Sequence, residues 1–119
     1  MSFAEKYNKG KERIFDIDIT DFRFMNMEDV FKNFGTNVIK VDGLYINTKS
    51  DYGNHPVAIN VDDGLLIDLP QHTTETVEEV LKDGESISLI KRGAVGLRAQ
   101  KYISKKYKKT CYGVEWVDM

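Results

Sequence analysis

The chain has 119 residues, of which 41% are hydrophobic and 30% charged, with a formal net charge of −2. That length suits one domain, and this balance of apolar and charged residues excludes general disorder. A single cysteine, Cys111, excludes an intramolecular disulfide framework and suits a reducing cytoplasm, and with only two histidines little material is left for structural zinc.

Met1–Gly10 is too polar for a signal peptide, and no apolar run reaches the roughly 18 residues of a membrane span. From Ile14 the sequence alternates: Phe15, Ile17 and Ile19 on one face, Asp16, Asp18 and Thr20 on the other. That period of two predicts a strand with one solvated face. Met27, Val30, Phe31 and Phe34 follow helical spacing, with Gly35 placed to cap the helix. Val38–Asn47 reads as one long strand, and Gly43 near its middle predicts a bulge or sharp bend. Residues 48–56, rich in Ser, Asp, Gly, Asn and Pro, are a loop.

Val57, Ile59 and Val61 alternate in the next strand, and Asp62–Asp63–Gly64 is a hairpin-turn signal. Leu65–Leu69 forms a further strand, stopped by Pro70. Thr73 or Thr74 is the expected cap of a helix carrying Val77, Val80 and Leu81 on its apolar side. Asp83–Gly84 interrupts it, and Ile87, Leu89 and Ile90 resume a helical turn that ends before Gly93. Two strands close the chain, Ala94–Ile103 and Thr110–Asp118, joined by the basic loop Ser104–Lys109.

From residue 37 the predicted order is β-β-β-α-β-β. That is the order of the oligonucleotide-binding (OB) barrel, in which the loops joining strands 1–2 and 4–5 and the face of strands 2–3 form the binding cleft. The expected fold is therefore α+β, mainly β. Residues 37–119 make a single OB-like five-stranded barrel with a helix between strands 3 and 4. Residues 1–36 form an N-terminal extension of strand and short helix, packed on that barrel.

The charge is strongly partitioned. Residues 1–90 carry a net −8, whereas residues 91–109 carry eight basic side chains and no acid. The predicted 1–2 loop holds Lys49, Tyr52 and His55; the predicted 4–5 loop holds Lys105, Lys106, Tyr107, Lys108 and Lys109, with Arg98 and Lys101 on the strand before it. Lysines neutralise phosphates and tyrosine rings stack on unpaired bases, so this pairing of cations with aromatics predicts a sequence-tolerant single-stranded nucleic-acid site. The competing reading is a solvated lysine-rich hairpin that blocks edge-to-edge aggregation. Trp116 and Cys111 are expected to pack in the sheet, Tyr45 either to stack or to pack, and His72 to bond backbone near the helix start.

The runs Leu44–Gly53 (LYINTKSDYG), Leu69–His72 (LPQH), Gly93–Gly96 (GAVG) and Tyr112–Asp118 (YGVEWVD) resemble small single-stranded DNA-binding proteins of OB type from Gram-positive phages and mobile elements. The resemblance implies a role in replication or recombination. The chain departs from familiar bacterial relatives of that type by ending in Trp116–Val117–Asp118–Met119 rather than in an acidic tail.

No Ser–His–Asp or Cys–His arrangement and no phosphate-cradling glycine run is present, so a cytoplasmic binder without catalysis, cofactor or metal is expected. Its partner is single-stranded DNA, with RNA equally compatible because nothing in the sequence speaks to the 2′-hydroxyl. The alternative is an acidic protein-interaction or inhibitor module that mimics DNA, using Glu75, Glu78, Glu79, Asp83 and Glu85. A homo-oligomer would raise effective concentration on a strand, and Phe15–Ile19 is the expected contact.

Overall fold

The computed structural model describes Phe15 and residues 17–47, 55–106 and 108–119. The elements in order are β1 (Arg23–Asn26), α1 (Met27–Phe34), β2 (Ile39–Lys40), β3 (Gly43–Asn47), β4 (His55–Asn60) and β5 (Leu65–Asp68). A 3-10 turn (Gln71–Thr73), α2 (Thr74–Lys82), α3 (Gly84–Lys91), β6 (Val95–Ser104) and β7 (Lys109–Asp118) follow. The strands form two sheets, ordered β1-β5-β4-β3 and β2-β6-β7. The fold is α+β, and no closed barrel is present among the described residues.

Among the described residues the first predicted strand does not form. Phe15 and residues 17–20 lie outside any ladder, because Asp18 Oδ1 accepts hydrogen bonds from both the backbone N–H and the hydroxyl of Thr20 and turns the chain locally. The strand that does form is β1, parallel to β5 with Arg23 opposite Leu65 and Asn26 opposite Asp68. The alternation of residues 15–20 nevertheless directs its apolar members inward: Phe15 is only 2% exposed, and Ile17 and Ile19 pack against the buried clusters. Phe15 belongs to the chain's own core, which removes it as the expected oligomer contact.

The long strand predicted over residues 38–47 is broken into β2 and β3, and the break is where the chain changes sheets. Val41 donates its N–H to the Val95 carbonyl at the start of β6, while Asp42 donates to the Ile59 carbonyl of β4. Gly43 permits this close crossing, since an added Cβ would lie 3.0 Å from Phe15 Cβ and 3.1 Å from Ile59 Cδ1.

Caps set the ends of α1. Asn26 Oδ1 accepts from the Asp29 N–H at the start, and Gly35, at φ 61°, donates to the Phe31 carbonyl at the end. The start of α2 differs from the expectation: the Thr73 and Thr74 hydroxyls donate backward to the Pro70 and Gln71 carbonyls, building the 3-10 turn instead of capping. Helix α1 contacts β5, β6 and β7, so it lies across the seam between the two sheets. Its Met27 and Val30 share one buried cluster with Leu44, Leu65, Val77, Leu97 and Ala99, so both sheets and the N-terminal helix contribute to the main core.

Candidate nucleic-acid interface

Strands β6 and β7 pair along ten residues each, from Val95 opposite Asp118 to Ser104 opposite Lys109. Near its base the hairpin is packed on the core through Leu97, Ala99, Val114 and Trp116. From Gln100 to Thr110 its described residues are exposed apart from Ser104, which is half-buried. The turn is closed by the Lys108 N–H donating to the Ser104 carbonyl at 2.7 Å. Lys108 itself takes a positive φ of 50°. Lys105, Lys106, Lys108 and Lys109 are all exposed around this turn, as the sequence places them.

Between the outer edge of β7 and the start of α1 lies a cleft of about 460 Å³. Asn26, Met27 and Glu28 form one wall; His55, Asp68 and His72 form another; Tyr102, Lys109, Thr110, Cys111 and Tyr112 form the hairpin side. It is the seam where α1 and β1 stand between β5 and β7. His55 sits where β4 emerges from the residue 48–54 segment, so the cleft joins the ends of both loops predicted to grip a strand.

Several predicted residues converge here and others do not. His55 and Lys109 line the cleft. Lys49, Tyr52 and Tyr107 lie outside the described residues. Arg98 is engaged on the hairpin face, where it and Gln100 donate to the Glu115 carboxylate, whose pKa that Arg98 bond lowers. Lys101 is exposed with its ammonium 6.0 Å above the Phe31 ring, a cation–π contact at the outer limit of range. Phe31 in turn meets Tyr112 with ring centroids 5.7 Å apart, which anchors α1 to β7.

Tyr102 is the aromatic that the sequence reading left out. It is 47% exposed and pairs across the hairpin with Cys111, next to Gly113. A Cβ on Gly113 would come within 3.3 Å of the Tyr102 ring, so the glycine lets the ring lie over β7 toward the cleft. A glycine inside a predicted strand is the signal that marks such a close approach.

His55 is held through Nδ1, 3.1 Å from Gln71 Oε1, while its Nε2 stands 3.8 Å from Asp68 Oδ1. Burial pushes the Asp68 carboxyl above its ordinary range, and the nearby His55 opposes that shift. Although His55, Asp68, His72 and Cys111 share the cleft, no three such groups among the described residues are placed to hold a metal ion. No helix among them is long and apolar enough to cross a membrane.

Trp116 and Tyr45 are half-buried, the former against the main core and the latter against Val57, Ile59 and Leu66. The acidic side chains of α2 are exposed: Glu75, Glu78 and Glu79 face solvent along a helix whose buried contact is Val77.

Comparison with models of known protein families, with curated proteins and with solved structures finds no match.

Proposed function

We propose that this chain binds single-stranded DNA in the cleft between β5, α1 and the β6–β7 hairpin. The turn lysines take phosphates and Tyr102 stacks on a base. One observation carries this reading: an exposed tyrosine ring and Lys109 line a single cleft, at the foot of a turn bearing three further exposed lysines. Cation and π-face are the two groups a flexible polyanion with unstacked bases requires.

The connectivity supports an OB-type arrangement opened at one seam. The chain through β2 and β3 serves both sheets, the helices α2 and α3 stand between the third and fourth strands of the series, and the last two strands form the long hairpin. An OB domain binds beside its 1–2 and 4–5 loops, which correspond here to residues 48–54 and 105–108. The sequence runs resembling phage single-stranded DNA-binding proteins support the same assignment, and with it a role in replication or recombination.

The test is an anisotropy titration with a labelled single-stranded oligonucleotide and its duplex at matched salt. Binding is expected to favour the single strand, because stacking needs an exposed base face. Tyr102→Ala is expected to weaken binding by roughly 1–3 kcal/mol, the cost of one lost base stack, while Tyr102→Phe keeps most of the affinity. Equal affinity for both DNA forms, with no effect of Tyr102→Ala, would leave only a diffuse electrostatic surface.

A further inference from the structure

A second concavity, of about 160 Å³, lies between α2, α3 and both sheets. Val80 of α2, Leu89 of α3, Leu44 of β3 and Trp116 of β7 give it a largely apolar wall. Ser86 also lines it, but its hydroxyl is turned onto Asp83, donating to Oδ2 at 2.5 Å. An apolar cavity of about this volume stays dry and takes one benzene-sized group. The pocket therefore suits a single apolar side chain.

Its surroundings are acidic. Residues 71–90 carry Glu75, Glu78, Glu79, Asp83 and Glu85 against one cation, Lys82. Glu79 follows the pocket-lining Thr76 by one helical turn, Glu85 precedes Ser86, and Asp83 is held beside the pocket by the Ser86 bond. All three carboxylates are exposed. The complement of this rim is an apolar side chain with cations beside it.

Of the large apolar side chains exposed among the described residues, Tyr102 and Ile103 alone lie in the acid-free stretch 91–109. Tyr102 lines the cleft already described. Ile103, 72% exposed, lines neither concavity and stands two positions before Lys105. It cannot fill the pocket of its own chain. Val95, on the pocket wall, is eight positions away along β6, about 26 Å at 3.3 Å per residue.

We propose that this pocket receives Ile103 of a second copy of the chain, with that copy's lysine turn against Glu79, Asp83 and Glu85. Pocket and hairpin end are different surfaces of one molecule, so the contact is heterologous and copies join head to tail. The contact needs no nucleic acid and goes beyond the proposed DNA binding. Tested without DNA, it stands or fails apart from that function.

The test is light scattering of the full chain at low salt over rising protein concentration. The wild-type mass is expected to climb past that of a monomer. Ile103→Asp is expected to weaken the association at least about tenfold, the loss that accompanies one unburied isoleucine. Thr76→Arg should do the same from the other side. It places bulk and a cation at an exposed position on the pocket wall, and arginine is the better helix former. Ile103→Thr and Glu79→Lys replace either variant should its thermal melt show it unfolded. Mixing is the deciding step. Ile103→Asp keeps an intact pocket and Thr76→Arg an intact hairpin, so together they are expected to form dimers that grow no further. A wild type that stays monomeric overturns the inference and leaves the pocket to an occupant of another kind. Association that persists in either folded variant overturns the assignment to Ile103 and this pocket. Association lost in both variants and not restored on mixing overturns the head-to-tail pairing.

Discussion

Replacing Lys105, Lys106, Lys108 and Lys109 together with glutamine is expected to flatten the dependence of log K on log salt by about 2.8. The figure follows from about 0.7 per phosphate contact on a single strand, where each neutralised phosphate releases part of a condensed counterion. Across a fourfold rise in salt, the wild-type protein should lose about 50-fold more affinity than the variant, the same slope difference expressed as a ratio. The fold should tolerate the change. All four side chains are exposed, and the bond that closes the turn is made by backbone, from the Lys108 N–H to the Ser104 carbonyl. Exposed substitutions of this kind usually alter stability by less than about half a kcal/mol each. Oligonucleotide titrations at several salt concentrations and a thermal melt decide the matter. An unchanged slope with a normal melt would make the turn a solvated, aggregation-resistant edge.

The lysine turn was legible because it is a one-dimensional feature: a run of like charge between two alternating strands reads the same in sequence and in space. The cleft beside it was not. It collects residues 26–28, 55, 68–70, 72, 102 and 109–112, which only the sheet pairing brings together. Tyr102 shows the difficulty clearly. In the sequence it is one of two tyrosines among the cations of residues 91–109, and its exposure over β7 depends on Gly113, eleven positions later and adjacent only once the hairpin closes. Asp68 likewise lies at the end of a strand in the sequence, and its place in the cleft depends on β5 pairing with both β1 and β4.

The same division holds for the fold. Period-two alternation located β4 to within two residues, the run before Pro70 and the two runs flanking the basic loop located β5, β6 and β7 to within one, and helical spacing with a terminal glycine located α1. Alternation misled at residues 15–20, since it reports which side chains turn inward but not whether the backbone finds a ladder. Asp18 and Thr20 supply a local alternative to that ladder, and the edge of β5 is taken by β1, whose RFMN sequence has no comparable pattern. Sheet exchange at Val41 and Asp42 was hidden for a related reason: a continuous apolar strand does not state that its two halves bond to different partners.

Phe15→Ala is expected to destabilise the protein by about 3–5 kcal/mol, the range for emptying the site of a buried aromatic side chain. Although Phe15 precedes every regular element described, its ring packs over the crossing between sheets, against the position where Gly43 has no side chain and beside Ile59. Nothing else in the sequence substitutes for that volume, because Gly43 leaves the crossing bare once the ring is gone. Against a total stability of about 5–15 kcal/mol for a typical domain, the loss is a large fraction. Phe24→Ala supplies the contrast: on β1 that ring is 56% exposed, and its removal is expected to cost less than about 1 kcal/mol. Urea unfolding of both variants, with slopes matching the wild type, measures the difference directly. Small and equal losses would detach Phe15 from the core and restore residues 15–19 as a surface available to a second chain. A large loss at Phe15 alone means that deleting residues 1–24 damages the domain that carries the cleft. Any loss of DNA binding in such a truncation then reports unfolding rather than a missing contact.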